Sequence, residues 1–148
     1  YFKLPDELDC RIEDGLAYLQ GTDRVFDAVA IDAFTSDGTV PAKFSTQSCF
    51  QTVKSVLSPA GIVVENVIVT GDCDPRADHI AREMQAAGFE ASLFDWPRRT
   101  YRNVLIAGNV ADDVRVSVQR KPVFVKDEMR GISRRRPKKG LVDRSINA

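Results

Sequence analysis

The sequence has few of the residues that build metal or disulfide scaffolds. Of its 148 residues, three are cysteine and one is histidine. Cys10, Cys49 and Cys73 lie far apart and form no C-x-x-C pair. A metal site would need carboxylates for most of its ligands, so no metal is expected, and the three thiols read as reduced and mostly structural. No G-x-G occurs anywhere, so these residues do not encode the glycine-rich phosphate cradle of a dinucleotide-binding unit. No apolar run approaches the ~18 residues of a membrane helix. The opening Y-F-K-L-P-D-E lacks the basic and then apolar order of a signal peptide, so no membrane is expected and the cytoplasm is the expected location. Aromatics are also missing from R-G-I-S-R-R-R-P-K-K (130–139). That stretch therefore lacks the stacking platform of a single-strand nucleic-acid binder, and nucleic acid is not the expected partner.

The length suits one domain with a real core. The zero net charge conceals an asymmetry: residues 1–113 hold 10 Lys/Arg against 18 Asp/Glu, and residues 114–148 hold 11 against 3. An acidic body favours cationic ligands. The basic tail could meet nucleic acid, an acidic partner or its own body, and residues 130–139 read as disordered or partner-bound.

The stretch V-F-D-A-V-A-I-D-A-F (25–34) is the organising feature. A near-continuous apolar run of this length predicts a central strand buried on both faces of a parallel sheet. Asp32 then falls at the strand's carboxyl end, where ligands bind in open α/β sheets. From position alone, Asp32 either meets a substrate or braces the loop that follows.

Around this run the chain alternates. Asp9–Glu13 is a possible strand. Asp14 can cap a short helix that Gly21 would end, or lie beside a nucleoside with Gly15 allowing close approach. Residues 35–42 form a loop, and Ser45 or Thr46 can cap a helix with Cys49, Phe50, Val53, Val56 and Leu57 on one face. Ser58–Gly61 would end that helix, and Ile62–Val69 is the clearest strand, interrupted by Glu65 and Asn66. Asp74-Pro75 starts a helix whose apolar face is Ala77, Ile80, Ala81, Met84 and Ala87, with His79 off that stripe at the surface. Phe89–Phe94 and Asn103–Ala107 read as two short strands, close enough to pair antiparallel at one edge of the sheet. The loop 95–102 between them, with Trp96, Arg98 and Arg99, could contact a ligand or simply close a hairpin. Val114–Val118 could add an edge strand. This alternation predicts an α/β fold with a mainly parallel sheet.

The order strand–Asp14-Gly15, V-F-D-A-V-A-I-D-A-F, Pro41-Ala42, Phe44, Ser45-Thr46, Phe50, L-S-P-A-G-I-V-V-E-N and R-N-V-L-I-A resembles the spermidine synthase family, and most of all its divergent spermidine-synthase-like branch. The likeness covers roughly residues 1–109. It implies the Rossmann-like fold shared with S-adenosylmethionine-dependent methyltransferases, with a mainly parallel sheet and an antiparallel C-terminal edge. The family's N-terminal β-domain and first βαβ unit are not among these residues. Residues 1–109 would then be the C-terminal part of the transferase domain, and residues 110–148 a basic extension, disordered in part or adding an edge strand. The implied activity is aminopropyl transfer from decarboxylated S-adenosylmethionine to a polyamine such as putrescine, with that donor (or S-adenosylmethionine) as co-substrate and no tightly bound cofactor. Methyl transfer, or a non-catalytic binding or assembly role on the same fold, are the alternatives. A sheet lacking its first unit also predicts an exposed apolar edge that favours self-association or a missing partner segment, so a homo-oligomer is expected. By position, Asp32 matches the first acid of the family's D-S-S-D-P segment, which deprotonates or orients the attacking amine. Asp14, Gly15, Ala33 and Pro41 fall on the donor side, and Asp37 and Asn66 on the acceptor side. The second acid of that segment falls on Thr35, and the loop here is about two residues longer.

Overall fold

A computed structural model of the chain describes residues 8–110 and 133–138. Their elements, in chain order, are α1 (Gly15–Gly21), β1 (Phe26–Ile31), a 3-10 turn (Ala42–Phe44), α2 (Gln47–Ser55), β2 (Leu57–Val69), α3 (Arg76–Ala86), β3 (Ala91–Asp95), β4 (Arg102–Gly108) and β5 (Ser133–Arg135). The strands form one sheet in the order β1-β2-β4-β3-β5. β1 and β2 are parallel, while β4 is antiparallel to both β2 and β3. So β1, β2 and β3 share one direction, and β4 is slotted between β2 and β3 against them. The expected antiparallel pairing of the last two body strands is present. Its reversed member lies inside the sheet because the six-residue hairpin connection (96–101) is too short for a crossover.

Local chemistry explains the helices. Asp14 accepts from the backbone N–H of Leu16 and Ala17 and so caps α1, and Thr46 accepts from Cys49 N at 3.2 Å and caps α2. Asp74 Oδ1 takes the N–H of Arg76, the first residue of α3, and Pro75 is the N-cap residue, which has no N–H to satisfy. The predicted face of α3 is buried residue for residue, as are Cys49, Phe50, Val53 and Val56 in and just after α2.

Strand alternation fixes which side these helices cover. Along β2 the odd-numbered residues from Gly61 to Val69 are buried, and the even-numbered ones are half-exposed. Register carries Val29, Ile31, Leu93, Val104 and Ile106 onto that same face. There they meet Phe50, Val53, Ile80 and Met84 in a single core. Each such side chain, fully buried, contributes roughly 1.5–3 kcal/mol. On the other face Ala28, Ala30 and Leu105 are exposed, and Ile62, Val64 and Asn66 are half-buried.

Four sequence expectations change here. β1 is not a central strand: it is one of the two edge strands of the described sheet, and Asp27, Ala28 and Ala30 are exposed. Its apolar run serves one covered face and one edge, a difference that residue type alone does not encode. Asp9–Glu13 forms no strand. Ser58–Gly61 does not end α2, which stops at Ser55; it lies inside β2, where the register slips between Phe26 and Ala28. Finally, part of the basic stretch 130–139 is ordered: Ser133–Arg135 pairs with β3. The possible strand Val114–Val118 lies outside the described residues.

Gly108 shows how closely the sheet and α3 approach. A Cβ there would lie 2.8 Å from Val63 Cγ1, 2.9 Å from Phe89 and 3.1 Å from the Met84 sulfur. Gly108→Ala should therefore destabilise by about 1–3 kcal/mol through overpacking, read as a lower denaturant midpoint at unchanged slope.

Candidate functional site

The carboxyl ends of β1 and β2 bring Asp32 and Asn66 together. Asp32 follows Ile31, whose partner in register is Glu65, so Asp32 and Asn66 both turn to the open face. Asn66 Nδ2 donates to Asp32 Oδ1 at 3.0 Å. Asn66 Oδ1 is buried and has no hydrogen-bond donor among the described residues. Asp32 itself is exposed. The result is an accessible carboxylate at a strand end, oriented by a neutral amide, and free to accept from or take a proton from a ligand.

A cavity of about 350 Å³ opens beside it, lined by Gly15, Tyr18 and Leu19 of α1, Val29–Ala33, Phe44, and Cys49 and Val53 of α2. Its walls are apolar and aromatic, with Asp32 as the only charged lining residue among the described residues, a composition suited to a small organic ligand. Gly15, Asp32 and Ala33 thus share one cavity. Asp14 sits next to it: its carboxylate caps α1 and also pairs with Lys43, whose ammonium lies 5.0 Å from the Phe44 ring centroid. The Lys43 hydrogen bond, followed by the backbone donors of α1, lowers the Asp14 pKa. This contact ties the turn after Pro41 to the start of α1. Pro41 serves that turn through its carbonyl, which accepts from Phe44 N at 2.9 Å.

Asp37 is placed differently. Its Oδ1 accepts from the Thr35 hydroxyl, from Thr39 N at 3.2 Å and from the Thr39 hydroxyl at 2.8 Å. Those bonds, that of Thr35 first, hold its pKa down at about 2. The loop closes on itself, with Thr35 N bonded to Thr39 O at 2.8 Å, and Asp37 braces it. Among the described residues no contact joins Asp37 to Asp32.

One buried acid lies directly beneath the site. Glu65 is fully buried on the helix-covered face, neither of its oxygens has a partner among the described residues, and burial raises its pKa to about 8. The same burial, with Glu65 as a secondary cause, raises the Cys49 thiol to about 11, so that thiol is inert rather than nucleophilic. Cys10 and Cys73 are free and exposed. Among the described residues no cluster of potential ligands could hold a metal ion, and no helix is long and apolar enough to cross a membrane.

The loop 95–102 closes the β3–β4 hairpin. Arg99 stacks 3.9 Å over the Trp96 ring, and Arg98 N donates to Asp72 at 2.9 Å. Arg102 is bound by Asp95 and Asp72. His79 is half-buried and lines a smaller cavity of about 110 Å³ with Arg76 and Val67. The cavity walls Tyr18, Leu19 and Val53 were legible only as helix-face residues. Lys43 carried no local signal of its pairing with Asp14, 29 residues away.

No protein-family model matches the chain. A probable polyamine aminopropyl transferase of Bifidobacterium longum is 31% identical over 72 residues, which is 49% of this chain and 16% of that protein. A probable spermidine synthase from Corynebacterium glutamicum superimposes with a TM-score of 0.56 at 24% identity, over 66% of this chain and 36% of that one. Human methyltransferase-like protein 13, solved in complex with SAH, gives 0.58 at 23% identity, over 78% and 55%. The chain therefore spans about a sixth of the curated relative and between a third and a little over half of these two structures. Both structural likenesses establish the α/β Rossmann-like fold, and the sequence match falls on the spermidine-synthase side of it. In sequence, over about half its length, the chain is similar to a probable polyamine aminopropyl transferase, and in fold it is similar to a probable spermidine synthase and a methyltransferase-like protein.

Proposed function

We propose that this chain supplies the acceptor-activating half of a spermidine-synthase-like transferase, which moves an aminopropyl group from decarboxylated S-adenosylmethionine to a polyamine such as putrescine. The observation that carries this reading is the Asp32–Asn66 pair at the ends of two parallel strands, beside the cavity that includes Gly15 and Ala33. In such a displacement the acceptor nitrogen bonds to the carbon next to the sulfonium. The carbon–sulfur bond breaks, a neutral thioether leaves, and the amine gives up one proton. A fixed, exposed carboxylate is suited to hold the ammonium and take that proton. The acidic body favours a polycation. Asp14, Gly15, Ala33 and Pro41 would sit on the donor side, and Asn66 would orient Asp32. Asp37 would reach the acceptor only after releasing Thr35 and Thr39. In this reading residues 1–109 belong to the transferase domain and residues 110–148 form a basic extension fastened to it by β5.

Methyl transfer from S-adenosylmethionine is the second reading. The fold match to the methyltransferase-like protein solved with SAH, which covers more of this chain than the spermidine synthase does, favours it.

Calorimetric titration of the whole protein with decarboxylated S-adenosylmethionine, 5′-methylthioadenosine and S-adenosylmethionine separates the two. Binding of the first two in preference to the third is expected. Preference for S-adenosylmethionine would move the reaction to methyl transfer. Silence with all three would reject both and leave a binding or assembly role.

A further inference from the structure

The segment 133–138 is held on the rim of the sheet in the manner of a recognised peptide. β5 pairs antiparallel with β3, with Phe94 opposite Arg134 and Leu93 opposite Arg135. Successive strand residues point to opposite faces, so three consecutive arginines meet different surroundings. On the open face, Arg134 lies 5.8 Å from the Phe94 ring centroid and donates through Nη2 to Ser92 Oγ at 3.0 Å. Arg136 joins it there, donating to Ser92 Oγ at 3.2 Å. On the helix-covered face, Arg135 grips Asp78 of α3 with both terminal nitrogens, at 2.7 and 2.9 Å, and its Nε lies 3.7 Å from Asp95 Oδ2. Asp78 also accepts from the backbone N–H of Lys138.

Two facts separate this from a tail resting on a surface. Asp78 is 1% exposed with the segment in place, and among the described residues Arg135 is the side chain paired with it, so the segment both covers this carboxylate and supplies its counter-charge. The contacts also divide as they do when an extended peptide adds to a sheet edge: backbone pairing supplies generic affinity, and distinct sites for alternate side chains supply specificity. The opposite charges of residues 1–113 and 114–148 act in the same direction.

We propose that the outer edge of β3, with Asp78 and Asp95 behind it, is a receptor for an extended arginine-bearing strand, filled in cis by residues 133–138 and able to take the matching segment of a second copy. The cis segment competes at the high effective concentration of a tethered ligand, so exchange should become visible when its central arginine is removed.

The test uses the full chain carrying Arg135→Ala and a labelled peptide I-S-R-R-R-P-K-K. Saturable binding is expected, about tenfold or more tighter than to the unmodified chain, whose site is filled. Changing only the peptide's central arginine to alanine should cost about tenfold or more, whereas changing its last lysine should cost little. Mixing Arg135→Ala with Asp78→Asn chains should raise the mass measured by light scattering above that of either alone, since only the mixture contains an intact pair. Should Arg135→Ala prove unfolded, the peptide should restore its cooperative melt. No binding and no rescue, or binding that follows net charge regardless of which arginine is changed, would overturn the proposal.

Discussion

Denaturation midpoints of this protein should fall as the pH rises from about 5 to about 9, and Glu65→Met should remove that dependence and stabilise the alkaline form. Glu65 is fully buried with no partner for either oxygen among the described residues, and burial lifts its pKa from 4.5 to about 8. The sign follows from linkage. Between those two values the folded chain keeps a proton that the unfolded chain has lost, so ∂ΔG/∂pH is negative. Below the unfolded value the pH-dependent part of the cost is absent, leaving only the desolvation of a neutral, unpartnered carboxyl. Its penalty then grows through the window and is complete above the folded value, at roughly 5 kcal/mol. Methionine keeps the length and removes the charge, which is why its largest gain should appear above about pH 8. Urea titrations of both chains at the two ends of the window decide the matter. A flat profile for the unmodified chain would mean that Glu65 finds a partner outside the described residues.

Asp32→Asn is expected to lower turnover by roughly 10²–10⁴-fold, the usual range for losing a positioned general base. Asp32 is exposed and, among the described residues, makes one side-chain hydrogen bond, to Asn66, so the thermal midpoint should barely move. Donor binding measured by calorimetry should also persist, because the cavity walls beside Asp32 are mainly those of α1, β1 and α2. Asn66→Ala should give a smaller loss of the same kind, since it leaves the carboxylate in place but unoriented. Unchanged turnover in Asp32→Asn would remove that residue from the chemistry. A collapse of the thermal midpoint would make it a structural brace, the other role its position allowed.

The residues that were legible beforehand act over a few positions. Asp14 and Thr46 cap the next helix because an oxygen two or three residues ahead of a free N–H can reach it. The stripe from Ala77 to Ala87 is buried because helical spacing puts it on one side. That Asp32 stands at the carboxyl end of β1 follows from the strand pattern of residues 25–34. Glu65 and Asn66 mark the limit of such reasoning. They are adjacent polar residues in one apolar run, and the sequence does not say which is buried. That depends on where the helices settle, and alternation then sends Glu65 beneath them and Asn66 to Asp32.

V-F-D-A-V-A-I-D-A-F shows the same division. Its composition determined that a strand forms there and that an acid ends it, because apolar β-formers and a following loop act through nearest neighbours. That this strand lies at an edge of the described sheet was decided only by the tertiary structure. So were the place of β4 between β2 and β3 and the joining of Arg135 to Asp78 across 57 residues. Each depends on free energies of pairing and desolvation that arise only when distant segments meet, and no local pattern carries them.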